Sequence, residues 1–160
     1  MRIYLAGPLF TLAERQFNEQ LASAIQEMVE DVDVTIPQVE TGKMSGSPDF
    51  VNKAFRFCLE SIDKCDAVVA ILDGADADSG TCVELGYAHA SDKPIIGVRT
   101  DFRLSEDRGL NLMVSNICSR LIVTSSMSAN IDDIAREIAS HLARISWLAG
   151  DGHGSVNADG

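Results

Sequence analysis

The sequence predicts a single α/β domain whose parallel sheet carries helices on both faces. Three observations lead there. Short apolar runs alternate five times with helical patterns, an order that calls for right-handed crossovers between parallel strands. The run Ala67-Val68-Val69-Ala70-Ile71-Leu72 has no polar interruption, which suits a central strand buried on both sides. Polar punctuation also falls where such sheets bind ligands. Gly7, Gln38, Asp73 and Asp101 each follow the carboxyl end of a strand.

Arg2-Ile3-Tyr4-Leu5-Ala6 reads as the first strand, broken by Gly7-Pro8. G-x-G-x-x-G is absent there, so the glycine alone is weak evidence for phosphate binding. Thr11-Leu12-Ala13-Glu14 has capping-box spacing and opens a helix with Phe17, Leu21, Ala24, Ile25 and Met28 on one face. Asp33-Val34-Thr35-Ile36 is the second strand, stopped by Pro37-Gln38. Residues 41–48, rich in Gly and Ser, read as a loop, either covering a site or merely connecting. Ser47-Pro48 offers a cap and a first-turn proline for the next helix. Phe50, Val51, Ala54, Phe55, Cys58, Leu59 and Ile62 form its expected buried face, and Asp66 opens the central strand.

Beyond Asp73-Gly74 the chain turns and re-enters a helical pattern near Thr81. Pro94-Ile95-Ile96-Gly97-Val98 is the fourth strand, and residues 102–109 are charged and irregular. A short helix starts over Leu110 to Val114, and Leu121-Ile122-Val123 is the fifth strand. Ile131, Ile134, Ala135, Ile138, Ala139, Leu142 and Ile145 stripe a final helix, as core or as subunit contact. The domain is expected over 1–148, with 149–160 a disordered tail of Gly, Asp, Asn and Ser.

At 160 residues there is enough chain for one substantial core. Thirteen basic against 24 acidic residues give a charge of -11, which argues against nucleic acid and anionic membranes as partners. No apolar run reaches the roughly 18 residues of a membrane span, and no signal-peptide pattern opens the chain. Cys58, Cys65, Cys82 and Cys118 form no C-x-x-C pair, so reduced thiols in a cytoplasmic protein are expected, without a metal.

Glu84 is the odd residue, a carboxylate between Val83 and Leu85 in a stretch that otherwise reads as buried. Thr81-Cys82-Val83-Glu84 fits a capping box, in which the glutamate reaches back to the helix start. A nucleophile or general base held in a pocket is the competing reading. A calcium loop does not, because no register supplies acids at the first, third and fifth positions with glycine sixth and glutamate twelfth. The residues alone leave the first two readings open.

Tyr4-Leu5-Ala6-Gly7-Pro8-Leu9-Phe10, the stretch from Asp73 to Ala88 with D-S-G-T-x-x-E-x-G-Y-A, and Asn111-Leu112-Met113 together resemble the nucleoside 2-deoxyribosyltransferases. The likeness runs from residue 2 to about 145. It implies a flavodoxin-like sheet of order 2-1-3-4-5 and a homo-oligomer whose active sites are completed by a neighbouring subunit. No cofactor is implied. The substrates would be a purine or pyrimidine 2′-deoxynucleoside and a free base.

On that resemblance Glu84 is the nucleophile toward C1′ and Tyr4 orients it. Gln38 meets the base edge, and Asp78 with a neighbour's Asn111 holds the 5′-hydroxyl. Gly7, Asp73, Gly80 and Met113 stand in the matched motifs and are expected at the substrate too. One position departs from the family. Counting back eight from Asp66, where the family carries an aspartate that handles the base and its proton, stands Cys58. A thiol with a free pKa of about 8.5 is a poor replacement, and plain core packing is the other reading of this residue. Two further functions compete: a nucleoside 5′-monophosphate N-glycosidase, and a nucleoside-binding module without turnover.

Overall fold

The computed structural model describes residues 1–101, 103, 110–124 and 127–150. Their elements run β1 (Arg2–Ala6), α1 (Leu12–Met28), β2 (Asp33–Thr35), α2 (Pro37–Gly42), α3 (Phe50–Lys64), β3 (Ala67–Ile71), α4 (Ser79–Ala90), β4 (Ile95–Arg99), α5 (Leu112–Ile117), β5 (Arg120–Val123) and α6 (Ile131–Gly150). The strands form one parallel sheet of order β2-β1-β3-β4-β5, the flavodoxin-like arrangement. All five residues of β3 are buried, as its unbroken apolar run requires.

Strand alternation divides the core in two. Ile3, Leu5, Val69, Ile71 and Val98 face α1 and α6, against Leu21, Ile25, Ile134, Ile138 and Leu142. Tyr4, Ala6, Val68, Ala70 and Leu72 face the other way, toward Ile62 of α3, Leu85 of α4 and Val114 of α5. Each fully buried aliphatic side chain contributes about 1.5–3 kcal/mol. The capping box of α1 is formed: Glu14 N–H donates to Thr11 Oγ1 at 3.2 Å, and Thr11 N–H donates to Glu14 Oε2 at 2.6 Å.

Several expectations are corrected. Residues 37–42 are helical, so α2 occupies the start of the expected 41–48 loop. Six residues are too few for an apolar period to be read. Helix α3 begins at Phe50 with Asp49 at its cap, two residues later than Ser47-Pro48 suggested. Phe50 N–H donates to the Ser47 carbonyl at 3.0 Å, closing a turn first. The expected buried face of α3 is largely open, with only Ile62 fully buried, and Val51 and Phe55 77% and 58% exposed. Met28 at the end of α1 is exposed as well. Helix α5 starts at Leu112, because Asn111 caps it. Helix α6 continues to Gly150, past the boundary expected at 148. The rest of the expected tail, and the irregular 102–109 segment apart from Arg103, lie outside the described residues. Among the described residues no helix is long and apolar enough to cross a membrane.

Candidate active site

Tyr4 stands on β1 with its side chain toward α3 and α4, and it is fully buried. Its hydroxyl donates to Glu84 Oε1 at 2.6 Å. Glu84 reaches this position because α4 starts earlier than T-x-x-E suggested. The cap is Asp78, whose Oδ2 accepts from Thr81 N–H at 2.9 Å and from Thr81 Oγ1 at 3.2 Å. Thr81 is thus the third helical residue and Glu84 the sixth, a turn too far along to cap anything. The capping-box reading of Glu84 is overturned. Its carboxylate is held by a tyrosine 80 residues away in sequence.

Burial pushes the Glu84 carboxyl above its ordinary value of 4.5, and Asp78 adds to the rise. The donors Tyr4 and Cys58 oppose it. Tyr4 is driven far upward by burial and by the Glu84 charge, so it remains a neutral phenol able only to donate to the carboxylate. Cys58, half-buried on α3, brings its thiol beside both groups, and burial raises that thiol so that it keeps its proton. Cys58 does pack against the core on this face. Core packing is therefore only part of its setting, since it also borders the carboxylate.

The other candidate residues divide around this pair. Gly7 follows β1, and a Cβ there would lie 3.0 Å from Ile71 Cβ, so the chain crosses β3 closely at this point. Gly80 leaves room for the cap, because a Cβ would stand 3.1 Å from Asp78 Oδ2. Asp73 is committed to structure. Its carboxylate accepts from Thr100 N–H at 2.5 Å, from the Thr100 hydroxyl, and from Asp101 N–H at 2.9 Å. Gln38 turns its amide toward α1, accepting from Asn18 Nδ2 and donating to the Arg15 carbonyl and Glu19. Asn111 caps α5, its Oδ1 accepting from Met113 N–H at 2.9 Å. With Met113 it lines a groove of about 730 Å³ beside Asp76, Ser79 and Cys82 of the α4 start. Glu84 does not line that groove.

Two residues escaped the sequence reading. Arg99 ends β4 on the same side as Ile95 and is buried, its Nη1 donating to the Leu72 carbonyl at 2.7 Å and its Nη2 to that of Gly74 at 3.1 Å. The signal was its parity with Ile95 in an apolar strand. Asn18 is buried on the inner face of α1. A polar residue spaced three before Leu21 in an apolar stripe was the sign.

The model of the nucleoside 2-deoxyribosyltransferase family matches residues 3–113, a span that holds Tyr4, Cys58, Glu84, Asn111 and Met113. The chain belongs to that family. It is 34% identical over 125 residues to an uncharacterised protein of Ureaplasma parvum, covering 68% of this chain and 75% of that one. Its fold is shared with a 2-deoxyribosyltransferase from Bacillus psychrosaccharolyticus, at a TM-score of 0.67 and 22% identity, covering 84% of this chain and 90% of the other. A Clostridium botulinum CMP N-glycosidase shares it at 0.53 and 20% identity, covering 89% and 99%. At those identities the likeness of these two is one of fold.

Proposed function

We propose that this family member cleaves the N-glycosidic bond of 2′-deoxynucleosides with Glu84 as nucleophile and passes the deoxyribosyl group to a second base, or to water. The observation that carries the reading is the half-buried Glu84 carboxylate held by the Tyr4 hydroxyl at 2.6 Å, in a helix whose cap is already supplied by Asp78. A carboxylate oxygen bonds C1′ as the C1′–N bond breaks, and the electron pair leaves with the base, which takes up a proton. A nitrogen of the incoming base then attacks C1′, loses its proton and frees Glu84. Tyr4, unable to ionise here, aims the attacking oxygen. Cys58 keeps its proton too firmly to protonate a poor leaving base well, so bases that depart easily are favoured.

The 5′-hydroxyl would donate to Asp78. Asn111 and Met113 would come from a neighbouring subunit, a reading supported by the exposed apolar residues of α3, α4 and α5. A 5′-phosphate would meet the carboxylates of Asp76 and Asp78. At about 4 Å and an effective dielectric of about 20, each repels it by several kcal/mol.

The test is base exchange between deoxyinosine and adenine, followed by chromatography beside a deoxynucleoside 5′-monophosphate. Deoxyadenosine should form while the monophosphate stays intact. Faster cleavage of the monophosphate would transfer the assignment to nucleotide N-glycosidases, and no cleavage of either would defeat the catalytic reading.

A further inference from the structure

Helix α3 turns few side chains inward, and Cys58 is one of them. It stands one turn before Ile62, the wholly buried residue of this helix, so helical phase points both at the sheet. The side chain it meets there is Tyr4, with Glu84 of α4 alongside. The other three thiols donate to main-chain carbonyls a short way back along their own stretch of chain: Cys65 to Ile62, Cys82 to Ala77 and Cys118 to Val114. Cys58 is hydrogen-bonded instead to Glu84 and Tyr4, two ionisable side chains from other elements.

The direction of these bonds follows from the hydrogens available. A phenol and a thiol carry one each, and a carboxylate carries none. Tyr4 gives its hydrogen to Glu84 Oε1 at 2.6 Å. Glu84 can therefore only accept from Cys58, and this bond lowers the carboxyl pKa, as a donor to the charged form must. Among the described residues, Tyr4 from β1 and Cys58 from α3 face Glu84 and stabilise its charge, while Asp78 at the cap of α4 opposes it. With both hydrogens on one carboxylate, neither donor has another to offer a departing base.

We propose that Cys58 is a positioning residue for the nucleophile: its S–H fixes the Glu84 carboxylate beside the Tyr4 hydroxyl, and the departing base draws its proton from solvent. The inference rests on the proposed function, in which Glu84 attacks C1′. Donors from two separate elements hold the carboxylate in one orientation, and the thiol, as the weaker donor, has the smaller share. Cys58 thus acts on the attacking group and not on the leaving one.

One arm of the experiment needs no turnover. Alkylation of Cys58 by iodoacetamide is followed against pH by peptide mass spectrometry, in wild type and in Glu84→Gln. Removing the charge should let the thiol ionise about one pH unit lower, while Cys118 in the same digest keeps its profile. The second arm compares kcat/KM for deoxynucleosides whose bases leave with graded ease. Cys58→Ala should lower every value by about tenfold, the low end for a hydrogen bond to a charged group, and move the acid limb to higher pH. Cys58→Ser keeps one hydrogen and should recover most of the rate and return the limb. A loss that grows as the base becomes a poorer leaving group would make Cys58 an acid acting on the base, and overturns the positioning role. So does an alkylation profile indifferent to Glu84→Gln. A wild type that turns over no deoxynucleoside overturns the proposed function, and the positioning role with it.

Discussion

On the α1 and α6 side of the sheet Leu21, Ile25, Ile138 and Leu142 are wholly buried, whereas on the α3, α4 and α5 side Val51, Phe55, Val83 and Met113 each leave more than half their surface in solvent. The helices of both sides carry apolar stripes. Among the described residues, one set is covered by the chain itself and the other is left largely open. The Tyr4–Glu84 pair sits on the less covered side, so the half of the molecule that a second subunit would complete is the half that holds the carboxylate.

The sharpest test of that division is Glu84→Gln. Loss of a nucleophile should lower kcat by a thousandfold or more, on the order of what such deletions cost. Stability should move the other way. In the folded protein burial raises the Glu84 pKa, so its contribution to stability is fully present below the ordinary carboxylate value and is lost as pH rises through the raised one. The glutamine variant avoids that loss. It should melt no lower than wild type at pH 7, with any advantage vanishing in acid. A variant melting far below wild type at neutral pH would make Glu84 a structural residue.

Comparing Ile138→Ala with Phe55→Ser tests the two faces directly. The first should cost about 2–5 kcal/mol in urea unfolding, as buried aliphatic truncations do. The second should stay within about 0.5 kcal/mol for the isolated protomer, yet, if the proposed subunit contact forms over this face, shift the sedimentation and lower activity with it. Equal stability losses at the two positions would erase the distinction.

Tyr4→Phe should act only on the chemistry. A hydrogen bond to a charged group is worth about 1.5–3 kcal/mol, so kcat/KM should fall about ten- to a hundredfold. Tyr4 holds the Glu84 pKa down, and without it the acid limb of the pH–rate profile should move to higher pH. An unmoved limb would remove Tyr4 from the site.

The strands were legible because a buried parallel sheet writes itself in uninterrupted apolar runs; β1 was read to the residue and β3 to within one. The stripe of α3 was legible too, but periodicity reports that a helix has an apolar side and not what covers it. Phe55 and Ile62 look alike in sequence and differ entirely in burial. Glu84 was visible as an anomaly, and its setting was not, since Asp78 and Thr81 offer two plausible caps three residues apart and only the folded chain chooses. The direction of the Gln38 amide depends on Asn18, Arg15 and Glu19, 19 to 23 residues away, and no local pattern encodes it.

The turn between β3 and α4 is clasped reciprocally with the end of β4. Arg99 grips the carbonyls of Leu72 and Gly74, and Asp73 grips the amides of Thr100 and Asp101. Each segment's side chain binds the other's backbone, so the clasp reads the path of the turn and is blind to its residue types between Gly74 and Asp78. Such a clasp constrains the length of the turn, because one added residue would carry Asp78, and with it the start of α4, out of step with the strand beneath.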